Sequence, residues 1–110
     1  MRYIMAMDTK AFSALAEPSR LRIVELLRDH PSSVNDIAVQ LHMRQPQVSK
    51  HLHTLYEAGI VTVHPAAQQR IYTLQPGPFN NLQVWLQSFE TSLQQRLDKL
   101  DAYLNNNERN

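Results

Sequence analysis

Apolar residues recur at steps of three and four along most of the chain, fall to steps of two between Ile60 and Leu74, and return to three and four up to Leu104. The pattern predicts four short helices, a β-hairpin and one long helix. Asp8 or Thr9 caps a first helix to about Ala16, with Phe12, Leu15 and Ala16 facing inward. Glu17-Pro18 opens a second helix to about Arg28, whose Leu21, Ile23, Val24, Leu26 and Leu27 form a wide apolar stripe, and Pro31 closes it. Ser32 or Ser33 caps a third helix, with Asp36 placed as in a capping box and Val34, Ile37, Ala38 and Leu41 buried.

His42-Met43-Arg44 is then a tight turn, and a fourth helix follows from Pro46 to Glu57. Proline suits a first helical turn, and Gly59 suits the left-handed position just past the end. Val48, Leu52 and Leu55 anchor this helix on a core, which leaves Gln47, Ser49, Lys50 and His53 on its outer side. Helix, tight turn, helix is the helix-turn-helix unit, here without the glycine many such turns carry.

Ile60 to His64 and Arg70 to Leu74 read as two strands, and Pro65 to Gln69 as their connection. No glycine or asparagine stands at the tip, which predicts a longer loop rather than a two-residue turn. Pro76-Gly77-Pro78 breaks the chain before a last helix from about Phe79 to Leu104. In it Leu82, Leu86, Phe89, Leu93, Leu97, Leu100 and Leu104 make nearly a heptad seam with one stutter, too long for a small core to cover. Its predicted partner is the same helix of a second chain, with Phe12 and Trp85 joining the seam. Asn105 to Asn110 reads as a polar, frayed tail. The predicted fold is therefore mainly α with a small β-hairpin, a winged helix-turn-helix in one domain over residues 8–104, homodimeric through its last helix.

Composition narrows the chemistry. The 110 residues include no cysteine, which removes disulfides and thiolate metal sites. Neither the N-terminus nor any later run has the length of a signal-peptide core or a membrane span, so the expected location is the cytoplasm. Net charge is only +1, but between Ile37 and Pro76 Arg44, Lys50 and Arg70 stand against Glu57, joined by His42, His51, His53 and His64. That basic middle predicts phosphate contacts supplemented by polar side chains.

The predicted DNA contacts follow from these placements. Gln47, Ser49, Lys50 and His53 face base edges or phosphates, since glutamine pairs bidentately with adenine and lysine favours guanine or phosphate. Arg44 and Gln45 stand at the helix entry and suit phosphates. Gln68, Gln69 and Arg70 stand near the wing tip, where they reach a minor groove or its backbone. His51 falls nearer the buried side and reads as structural; Trp85 and Phe89 read as packing, and Tyr72 has no assigned role. No nucleophile–base pair or glycine-rich phosphate loop is present, so no enzymatic activity is expected. The competing reading is a winged-helix interaction module that binds proteins and touches DNA weakly or not at all.

Three segments carry a family resemblance: Leu15-Ala-Glu-Pro-Ser-Arg-Leu-Arg-Ile-Val-Glu-Leu-Leu27, Gln45-Pro-Gln-Val-Ser-Lys-His-Leu52 and Glu57-Ala-Gly-Ile-Val61. Over Phe12 to about Leu104 the chain resembles the ArsR/SmtB family of winged-helix bacterial repressors. The resemblance implies a homodimer joined through its first and last helices, the fourth helix in the major groove and the wing beside it. It also implies release from DNA on ligand binding, and many members sense metals. Here the pattern departs. Where thiolate sensors carry cysteines, this chain has Ser32, Ser33, Val34 and Asn35, and where zinc-type sensors carry ligands on the last helix, no histidine follows His64. Asp98 and Asp101 share a face but make a poor transition-metal site. The expectation is a DNA-binding repressor without metal or cofactor, whose inducer the sequence does not name.

Overall fold

The computed structural model describes residues 9–109. Helix α1 spans Thr9–Leu15. Thr9 is thus its first residue rather than its cap, and Asp8 lies outside the described residues. The buried side of α1 is not the expected one: Ala11 and Ala14 enter the core, Phe12 and Leu15 are half-buried, and Ala16 is exposed. Small residues let α1 lie close against its neighbours, while the Phe12 ring turns to the last helix.

Helix α2 spans Pro18–Asp29. Its N-cap is Glu17, whose carboxylate accepts from the Arg20 backbone N–H at 2.8 Å. Ile23, Val24 and Leu27 are buried, but Leu21, at the edge of the predicted stripe, is exposed. Strand β1, Ser32–Ser33, was not expected. It pairs antiparallel with Ile71 and Tyr72, and two residues hold no periodicity to announce it. The buried serines remain satisfied: Ser32 Oγ donates to the His30 carbonyl, and Ser33 Oγ accepts from the Asp36 N–H, capping helix α3, Val34–Leu41. This is the predicted cap.

Helix α3 ends on His42, which adopts the left-handed conformation at φ 56° that glycine would otherwise supply. The Met43 N–H returns to the Ala38 carbonyl and closes the turn. Helix α4, Gln45–Glu57, follows with Pro46 in its first turn. Val48, Leu52 and Leu55 are each 0% exposed, so one face anchors the helix completely. At its other end Gly59 sits at φ +77°, its N–H bonded to the Tyr56 carbonyl and the Ile60 N–H to that of Leu55. That pair of bonds is a Schellman cap.

Strands β2, Val61–Ala66, and β3, Gln69–Leu74, form the hairpin with Val61 opposite Leu74 and Ala66 opposite Gln69. Both strands run further toward the tip than expected, and the connection is the two-residue turn the missing glycine argued against. Ala67 takes φ 56° in it, the left-handed position a tight hairpin requires. Ladder pairing up to Ala66 and Gln69 holds the alanine in this unfavourable conformation. The sheet order is β1-β3-β2, so β2 is an edge strand. Pro65 is tolerated in β2 for that reason.

Helix α5 spans Pro76–Arg109, longer at both ends than expected. Pro76 and Pro78 begin the helix instead of breaking the chain before it, because first-turn N–H groups have no intrahelical partner to lose. Past Leu104 the helical backbone continues through the stretch expected to fray, since its hydrogen bonds are internal and need no apolar face. At about 51 Å for its 34 residues, α5 accounts for most of the 74 Å long axis of the chain. Phe12 meets Trp85 edge-on at 5.0 Å, and Trp85 meets Phe89 at 4.8 Å, tying α1 to the base of α5. Beyond that contact Leu93, Leu97, Leu100 and Leu104 stand 49–58% exposed.

Candidate nucleic-acid interface

The outer side of α4 is what its buried face leaves over. Gln47, Ser49, Lys50 and His53 are all exposed, and His51 is half-buried as its position predicted. Arg44 is the N-cap residue, but its side chain makes no capping bond. Gln45 is partly spent: its Nε2 donates to Asn35 Oδ1 at 2.8 Å. That bond braces α4 against α3 across the turn, and Arg22 of α2 holds the end of α3, its guanidinium donating to the Leu41 carbonyl.

Three shallow depressions bring the candidates together. Arg44, Gln47 and Lys50 flank Pro46 at the start of α4. Gln45, Gln69 and Arg70 meet Ser33 and Asn35 where the wing approaches the N-terminus of α3. Ser49, His53 and Arg70 line a groove of about 360 Å³ between α4 and the wing, with Tyr56, Glu57, Val63 and Tyr72. Arg70 belongs to both wing-side grooves. Gln68 stands apart in the two-residue turn. Eight of the nine residues named from the sequence thus line one or another of these three depressions.

Tyr56 was missed. Its signal was an exposed aromatic three residues after His53 and seven after Ser49, on one flank of α4. That flank acquires meaning only when the wing is placed beside it.

Electrostatics here are modest. Glu17 is held below the usual carboxylate range by the Arg20 backbone N–H, with smaller contributions from His51 and Arg20 charges. This cap lies beside α4, since His51 is on that helix, and away from its outer face. Among the described residues no three His, Asp or Glu side chains gather as a metal ion would require, and no helix is long and apolar enough to cross a membrane.

A polar helix locked by a tight turn to its predecessor and flanked by a two-stranded wing defines a winged helix-turn-helix DNA-binding regulator. The profile described as bacterial regulatory protein, arsR family, matches residues 17–63. The chain is 38% identical over 82 residues to the HTH-type transcriptional regulator Rv2034 of Mycobacterium tuberculosis, covering 74% of this chain and 77% of that one. It belongs to the ArsR family and is a transcriptional regulator, not an enzyme. It is also 28% identical to the transcriptional repressor SdpR of Bacillus subtilis over 78 residues, 71% of this chain and 87% of that protein. In fold it is similar to the homodimeric winged helix-turn-helix DNA-binding domain Mb0332 of Mycobacterium bovis, with a TM-score of 0.61, 21% identity and 76% of each chain covered.

Proposed function

We propose that the protein acts as a homodimeric repressor that binds a twofold-symmetric operator, with one α4 in each of two successive major grooves. The observation that carries this reading is the complete division of α4: three residues without exposure on one side, and Gln47, Ser49, Lys50 and His53 exposed on the other. In the major groove Gln47 and Lys50 read base edges, while Arg44 and Gln45 at the helix entry contact phosphates. The wing carries Gln68, Gln69 and Arg70 to the adjacent minor groove.

Dimerisation is supported by the exposed stripe from Leu86 to Leu104 on α5, which the half-buried Leu82 continues toward the head. An apolar surface that long is covered in a stable protein, and a second copy presents the same surface. Phe12, Trp85 and Phe89 continue the stripe onto α1. The homodimeric neighbour of the same fold and the repressor among the relatives agree with this assignment.

Footprinting with the purified full chain tests it. The expected result is protection of an inverted repeat whose half-sites lie about one helical turn, roughly 34 Å, apart. Protection with no preference for any sequence at moderate salt overturns the proposal. Lys50→Ala and Gln47→Ala should abolish operator binding while leaving a folded dimer; a protein indifferent to both is a protein-interaction module instead.

A further inference from the structure

We propose that the groove between α4 and the wing seats the sugar-phosphate strand that separates the major groove from the adjacent minor groove, and that Tyr56 is a positioning contact to that strand. The inference rests on the DNA-binding reading above. If α4 occupies a major groove and the wing the neighbouring minor groove, one strand of the duplex must pass between them. The space it would cross is the groove lined by Ser49, His53, Tyr56, Glu57 and Arg70.

Ser49, His53 and Tyr56 lie on successive turns of α4 along the flank that faces the wing, and Arg70 closes the groove from β3. Each of the four presents a donor suited to a phosphate oxygen. Tyr56 is 49% exposed despite its aromatic ring, and among the described residues its hydroxyl has no hydrogen-bond partner. An amphipathic tyrosine suits this position: the ring packs along sugar and the hydroxyl donates to phosphate. His53 accordingly turns from base edge to backbone. Base reading is left to Gln47 and Lys50, farther from the wing.

Glu57 limits the seat. Its carboxylate lines the same groove and forms no ion pair with Arg70 among the described residues, so it repels a phosphate placed beside it.

Titrations of the full-length protein against its footprinted operator and an unrelated duplex of equal length, at several salt concentrations, provide the test. Tyr56→Phe should weaken both complexes about a hundredfold, because it removes one bond to a charged acceptor in each of the two protomers. The preference between duplexes and the salt slope should stay as in the wild type, since no charge is lost. Arg70→Gln should reduce the magnitude of that slope by about 1.8, about 0.9 for each of the two protomers. Glu57→Gln should tighten both complexes. A Tyr56→Phe protein that binds both duplexes within twofold of wild type, or that loses preference between them, overturns the assignment, as does a Glu57→Gln protein unchanged on both. A wild-type protein without sequence preference would instead overturn the repressor reading, while the effect of Tyr56→Phe on the unrelated duplex would still decide this one.

Discussion

His42 and Ala67 both hold φ at 56°, a conformation that costs an L-residue with a Cβ roughly 1–2 kcal/mol. Histidine is among the side chains that tolerate it; alanine is not. Ala67→Gly should therefore raise stability by about 1 kcal/mol in urea unfolding, and His42→Gly by somewhat less. Gly59 is the opposite case. A Cβ there would meet nothing within 4 Å, so only its φ of +77° demands glycine. Gly59→Ala should cost about 1 kcal/mol, and a cost several times larger would show that steric contact, not backbone conformation, governs the position. Glu17 supplies a pH dependence. Its carboxyl is held below the ordinary range by the Arg20 N–H, so the cap stabilises fully above the unfolded pKa near 4 and loses that contribution as pH falls through the folded value. Melting temperatures of wild type and Glu17→Gln should differ at neutral pH and converge only once pH has fallen below the lowered folded pKa of Glu17.

At the scale of elements, α4 does two things with one periodicity. The apolar positions Val48, Leu52 and Leu55 were readable because they alone fit the helical spacing, and all three are fully buried. Leu52 lies at the middle of that face. Leu52→Ala should remove about 2–5 kcal/mol, a large part of the stability of a domain this size, and broaden the thermal transition before any DNA contact is lost directly. Two elements resisted reading for a common reason. Ser32–Ser33 is a strand only because Ile71 and Tyr72 come to pair with it, and α1 buries Ala11 and Ala14 because close packing favours small residues over large ones. Neither cause lies within the local sequence. The wing tip failed differently: turn preference was outweighed by a ladder that continues to Ala66 and Gln69.

At the scale of the molecule, α5 reaches well beyond the packed head and carries Leu93, Leu97, Leu100 and Leu104 into solvent in the single chain. From Leu86 the steps are three, four, four, three and four, an eleven-residue repeat close to 3.67 residues per turn. Two such helices pack nearly straight or with a slight right-handed twist. Leu97→Gln with Leu100→Gln should shift the protein from dimer to monomer in sedimentation while leaving the helix-turn-helix and wing folded by circular dichroism. The monomer should lose most of its operator affinity because each half-site then binds alone. A dimer that survives both changes would place the interface elsewhere.

Period alone determined the helices, the hairpin and the anchored face of α4, because an apolar stripe must match the geometry of the element that buries it. It also made the polar side of α4 readable, as the remainder of that match. The third strand, the tight turn at Ala67, the small-residue face of α1 and the existence of a groove beside Tyr56 depended on segments distant in sequence. Only the tertiary structure decided those, since a pairing partner, a ladder's register and the opposite wall of a groove are properties of two elements at once.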